Sequence, residues 1–173
     1  MTDLYARMGI DFQRLGCVML NVSDLELHHH VPDALWYSDP ETPWINGPEL
    51  EPHITLLFGL MESAHAWREY VDEVMEGWTA PEFIGIRSFG SFGSPAAPYD
   101  TIVGLVNYGH QHLRDAHQRL SKLPHINTVP YQPHVTIGYV MKGTARYVIR
   151  DLNELRRDDH VVLPAGLSYG DIR

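Results

Sequence analysis

Two segments of the chain are nearly the same: Pro52-His53-Ile54-Thr55-Leu56 and Pro133-His134-Val135-Thr136-Ile137. Each is a His-x-Thr triplet in an apolar run opened by proline, and 81 positions separate the two histidines. Alternation of this kind reads as a strand, in which residues i and i+2 share a face about 6.5–7 Å apart. Each segment therefore offers one imidazole and one hydroxyl side by side and turns Ile54 or Val135 toward the core. A lone His-x-Thr means little in a chain with 11 His and 8 Thr, where about half a copy arises by chance. Two copies that also share the proline and the apolar positions are not explained that way. Strands of this type set face to face would gather two imidazoles and two hydroxyls around one pocket. That set suits a phosphodiester: one ring takes a proton, the other gives one, and the hydroxyls donate to phosphate oxygens.

The order of elements around the two segments is itself informative. Gly16 to Val22 reads as a strand rich in β-formers. Residues 23–52 hold Pro32, Pro40, Pro43, Pro48 and Pro52 with Trp36, Tyr37 and Trp44; an irregular stretch this long is usually functional. His53 to Gly59 is a buried strand. Ser63 to Gly77 has the periodicity of an amphipathic helix, with Trp67, Tyr70, Val71, Val74, Met75 and Trp78 on its apolar stripe, Ser63 as N-cap and Gly77 as stop. Glu82 to Ser88 and Thr101 to Asn107 read as strands joined by a Gly/Ser/Pro/Ala loop, Gly90 to Pro98. A helix over Gly109 to Leu123, the second motif strand from His134 to Val140, a helix over Ala145 to Arg157 and a last strand from His160 to Tyr169 complete the chain. Each half contributes one motif strand and at least one helix, a duplication of architecture without a sequence repeat.

Charge narrows the choice of ligand. The formal net charge is −9, whereas a protein that tracks a long nucleic-acid backbone carries a basic stripe because counterion release drives that binding. The basic clusters are short, such as Arg156-Arg157, which is followed by Asp158 and Asp159. A small phosphorylated ligand is compatible with this balance and a long polyanion is disfavoured. At 173 residues, 44% hydrophobic, the chain reads as one domain with a real core. Its longest apolar run, Ile54 to Met61, is too short to span a bilayer. The N-terminus, with Asp3 and Asp11, lacks a signal-peptide core, and a cytoplasmic protein without a membrane partner is expected. Cys17 is the single cysteine and reads as buried filler.

Paired His-x-Thr motifs on strands, here His53, Thr55, His134 and Thr136, resemble those of the 2H phosphoesterase superfamily. The resemblance implies an α+β fold of two antiparallel-sheet lobes with helices outside, related by a pseudo-twofold axis. Residues 1–173 would then form a single bilobal domain with an irregular insert at about 23–52. It further implies a groove between the lobes, a phosphodiesterase that uses neither metal nor cofactor, and substrates among 2′,3′-cyclic phosphates, 2′–5′ linkages and other small nucleotide phosphodiesters. Within the superfamily, the aromatic N-terminus, the Pro/Trp-rich insert and Glu51-Pro52-His53 are most similar to phage enzymes that destroy the cyclic-oligonucleotide alarm signals of bacterial defence (anti-CBASS enzymes). That similarity implies a cyclic di- or trinucleotide substrate and action in the host cytoplasm.

Roles follow from this set. One histidine deprotonates the attacking oxygen and the other protonates the leaving 5′-oxygen, with His134 as acid and His53 as base the working assignment; Thr55 and Thr136 hold the phosphate. Tyr131, three residues before His134, lies near the groove by chain geometry. Trp36, Trp44, Tyr5 and Phe12 offer rings for base stacking, worth about 1–3 kcal/mol per base, against the simpler role of packing. Lys142 could meet a phosphate or be an ordinary surface lysine. His28-His29-His30 could supply metal ligands, but three adjacent rings do not all converge on one ion, and a solvated loop is the simpler reading. His117, on the apolar side of a helix, reads as a packed core histidine, and His65, His110, His112, His125 and His160 read as surface residues. The remaining alternatives are RNA end processing or 2′–5′ RNA ligation on the same site, and a nucleotide sponge that binds without cutting.

Overall fold

The structure, a computed structural model, describes residues 15–43, 45–126, 129–155 and 160–171; among these, seven strands form two antiparallel sheets. The strands are β1 (Gly16–Val22), β2 (His53–Leu60), β3 (Ile84–Phe92), β4 (Tyr99–Tyr108), β5 (His134–Met141), β6 (His160–Val162) and β7 (Pro164–Asp171). One sheet has the order β2-β1-β7 and the other β5-β4-β3-β6, so each motif strand lies at the end of its sheet. Three helices pack outside: α1 (Arg68–Val74), α2 (His110–Leu120) and α3 (Ala145–Leu155). Helix α2 follows a strand of the second sheet yet packs against β2 of the first, while α3 covers β3 and β4. The two lobes are thus interlaced and do not correspond to successive halves of the chain.

The alternation expected of the motif strands is present. Ile54 and Val135 are buried in the core, and the histidine and threonine on either side of each are half-buried on the opposite face. Both strands break register at the same place. In β2, Val18 pairs with Leu57 and Met19 with Thr55, which leaves Leu56 bulged. In β5, Ile102 pairs with Gly138 and Val103 with Thr136, which leaves Ile137 bulged. A bulge adds one residue to one strand and re-aims the side chains beside it; here each follows the motif threonine directly.

Both motif strands have their outer edges covered. The insert runs along β5: Tyr37 and Glu49 donate their N–H groups to Tyr139 and Ile137 at 2.9 Å each, and Tyr139 donates to Gly47 at 2.8 Å. The segment after α2 does the same for β2, with Met61 donating to Pro124 and Ile126 to Gly59, each at 2.9 Å. Unpaired strand edges invite wrong partners, so much of the long irregular segment serves to close a sheet edge.

Four details depart from the sequence reading. The helix expected over Ser63–Gly77 is a 3-10 turn, Ala64–Trp67, followed by the short α1. Its start is set by tertiary contact: a Cβ on Gly16 would lie 2.3 Å from the Ala64 nitrogen, so the chain passes tightly over β1. Ser63 holds the N-cap position of that turn but its side chain makes no capping bond; its Oγ donates to Asp171 at 2.9 Å, and that carboxylate also accepts from the Ala64 N–H at 3.2 Å. Tyr70, expected on the apolar stripe, is 54% exposed. The last strand divides at Leu163: β6 joins one sheet and β7, opened by Pro164, joins the other. Finally, β3 extends through Gly90, Ser91 and Phe92, which the glycines had suggested were loop. No described helix is long and apolar enough to cross a membrane.

Candidate active site

The motif prolines have a structural purpose. Proline holds its own φ near −65° and keeps the residue before it extended. In both segments this directs the carbonyl two residues before the histidine at the imidazole. His53 Nδ1–H donates to the Glu51 carbonyl at 2.9 Å, and His134 Nδ1–H donates to the Gln132 carbonyl at 2.8 Å. A carbonyl can only accept, so each ring carries a proton on Nδ1 and keeps Nε2 for chemistry. The proline carbonyls are satisfied alike, by Val22 N–H at 3.1 Å from Pro52 and Val106 N–H at 3.3 Å from Pro133.

A cavity of about 400 Å³ opens where the segments meet. Thr55, His117 and His134 supply its polar edge, and Phe58, Phe92 and Tyr131 its apolar wall. A second cavity, of about 620 Å³, opens at His53 and is bordered by Asn21, Glu49, Glu51, Ser168 and Tyr169. Thr136 borders a small cleft that it shares with Pro52 of the other motif. Each imidazole therefore borders its own cavity, His134 one and His53 the other, both of the size that small ligands occupy.

The two rings differ in environment. Phe92 approaches His134 edge to face, with centroids 4.7 Å apart at 83°. Burial is the main cause that pushes the His134 pKa below its ordinary 6.5, and charge on His53 lowers it further; the bond to Gln132 works the other way. Burial thus weighs against the protonated form of His134; a neutral imidazole with a lone pair on Nε2 is the form a general base needs, where the sequence had suggested His134 as the acid.

The sequence model of the 2′-5′ RNA ligase superfamily matches residues 35–161, well over half of the chain. The chain belongs to that superfamily. Its fold is that of the 2H phosphoesterases. It is similar to the structure of Kluyveromyces marxianus Usb1, at 9% identity and a TM-score of 0.59, over 92% of this chain and 95% of that one. The same protein with uridine monophosphate matches over the same shares, at 10% identity and a TM-score of 0.60. No curated protein matches the sequence. Membership of the 2′-5′ RNA ligase superfamily makes this a phosphoester-acting enzyme.

Other residues singled out from the sequence lie in varied places on this 2H fold. Tyr131 lines the cavity beside His134. Trp36 sits over Gly138, where a Cβ would fall 2.7 Å from its ring, and bridges Val140; those positions are about 13 and 20 Å along the strand from His134. Lys142 is held at the far end of β5, where its ammonium meets Asp100 and the Ser94 carbonyl at 2.9 Å each. Tyr5, Phe12 and Trp44 lie outside the described residues. His28 and His29 place their rings 4.0 Å apart in a 3-10 turn. Among the described residues no group of three or more His, Cys, Asp or Glu side chains could hold a metal ion.

Sequence reasoning passed over two contributors. Phe92 was hidden in a glycine-rich stretch read as a loop. His117 has the helical position expected of it but is only half-buried and faces the cavity. The apolar periodicity that placed it on an inner face carries no information about what that face meets.

Proposed function

We propose that this 2H enzyme is a metal-independent phosphodiesterase that cleaves small cyclic oligonucleotides, such as cyclic di- and trinucleotides, and so disarms signals built from them. The observation that carries this reading is the pair of imidazoles, each pinned through Nδ1 with Nε2 left for proton transfer. His134, neutral, takes the proton from the attacking oxygen, a ribose 2′-OH or a water. The oxygen attacks phosphorus, the bond to the 5′-oxygen breaks, and His53 in its protonated form gives that oxygen its proton. The hydroxyls of Thr55 and Thr136 donate to the phosphate oxygens as charge builds on them.

Size and charge favour a compact substrate. The chain carries a net charge of −9, and Glu49 and Glu51 border the cavity at His53, so further phosphates on that side meet repulsion. The cavity at His134 is walled by aromatic side chains suited to a base. A cavity at each histidine offers room for one nucleotide on either side of a scissile bond.

A second reading, processing of RNA ends or 2′–5′ linkages, is favoured by the family that the sequence matches. The deciding experiment incubates the protein, in EDTA, with cyclic dinucleotides, cyclic trinucleotides, 2′,3′-cyclic mononucleotides and a long single-stranded RNA, with products identified by mass. Small cyclic oligonucleotides are expected to be cleaved at least about tenfold more efficiently than the RNA, or about 1.4 kcal/mol of transition-state preference, with a mild dependence on salt. Preferred cleavage of the long RNA with a steep salt slope overturns this reading in favour of the second.

A further inference from the structure

We infer that His117 is a positioning residue of this phosphodiesterase site, holding the strand that carries Thr55 and the aromatic wall beside His134 in one arrangement. The inference rests on the phosphodiester reading above for its kinetic part.

Three contacts of one side chain carry it. The bulge at Leu56 takes that residue out of the ladder with β1, and its carbonyl accepts the His117 Nδ1–H at 2.7 Å. The imidazole face lies flat on Tyr131, with centroids 4.1 Å apart and planes within 8°. On the remaining edge, Ser121 Oγ stands 3.5 Å from Nε2 while donating to the His117 carbonyl at 2.7 Å. The ring therefore spans from the residue after Thr55 to the residue three before His134, across the mouth of the cavity.

The matching position in the other lobe shows what is particular here. The Ile137 carbonyl, at the equivalent bulge, is taken by a backbone group, the Glu49 N–H at 2.9 Å. At Leu56 a side chain does that work, so the geometry of Thr55 depends on a replaceable group. Tyr131 depends on it as well. The Tyr131 hydroxyl is buried with no hydrogen-bond partner among the described residues, so its ring is held by packing, against the core and flat on His117. Small misplacements of such groups cost rate steeply.

Two substitutions separate the contacts. H117F keeps the stack and loses the donor; H117N keeps an amide where Nδ1 sits and loses the stack. With cyclic GMP–AMP as substrate, or the single-stranded RNA if that is what is cleaved, H117F is expected to lower kcat about tenfold or more with KM within about threefold. H117N is expected to recover kcat to within about threefold of wild type and to show the lost stack on Tyr131 as a KM raised about threefold or more. In a Thr55→Val background H117F should cost less than about threefold, because the group it positions is gone. Equal losses from H117F in both backgrounds, or a folded H117F with wild-type kcat, overturn the inference. If H117F does not fold, H117N is compared with H117Q, whose amide falls where Nε2 sits and misses Leu56; equal activity of the two overturns it. If the wild type cleaves nothing, the phosphodiesterase reading is what fails. The inference is then decided by the Thr55 methyl resonance, which must shift in H117F and stay near its wild-type position in H117N.

Discussion

His53 and His134, 81 residues apart, hold their rings in the same way, each donating Nδ1–H to the carbonyl two residues before it, at 2.9 and 2.8 Å. The proline between donor and acceptor makes that geometry local to three residues. It leaves Nε2 of both outside that bond, and the difference between them is environment: Phe92 and burial act on His134.

The first prediction concerns the two rings. His53→Ala and His134→Ala are each expected to lose about 10²–10⁴-fold in kcat, the usual worth of one general acid or base. The double variant should lose far less than the product, since the two act as a unit. Single-turnover rates measure this, and near-wild-type turnover of either variant assigns that histidine a structural role.

The second concerns pH. The folded pKa of His134 is depressed below 6.5, with burial the largest cause. The folded state thus binds fewer protons there than the unfolded chain, and the group contributes stability above pH 6.5 that is lost as pH falls through its folded value. Thermal denaturation between pH 7 and 5 should show this loss, reduced in His134→Gln. The acid limb of kcat/KM should likewise lie below 6.5. An acid limb above that value returns the base role to His53.

The third concerns metal. Proton transfer and hydroxyl donors suffice for the chemistry proposed, so turnover should persist in excess chelator. Activity lost in EDTA and restored by Zn²⁺ or Mn²⁺ would reverse the assignment and direct attention to His28–His30.

The fourth concerns the insert. A Cβ on Gly138 would stand 2.6 Å from the Gly47 carbonyl and 2.7 Å from the Trp36 ring, at a φ of 155°. Gly138→Ala is expected to cost about 1–3 kcal/mol, measured by denaturant unfolding. It should also speed hydrogen exchange at the Tyr37 and Tyr139 amides, which close the edge of β5. Unchanged exchange there would show that the insert is held elsewhere.

The two motif strands of this protein were legible in ten residues. Proline, the His-x-Thr alternation and the apolar positions are local constraints, each acting through covalent geometry or strand periodicity, and the two motif strands follow them to within a residue. What lay outside the sequence's reach was every choice made between segments. The chain crosses from one sheet to the other at Leu163, and the helix after β4 packs on β2, because burial depends on which faces meet and is blind to order along the chain. The same holds within the site. Phe92 reaches His134 from the end of a hairpin, and His117 reaches Leu56 from a helix; neither contact has a spacing that a sequence could display. Local geometry determined that two imidazoles would be held through Nδ1, and only tertiary packing, by burying one of them against Phe92, made their environments differ.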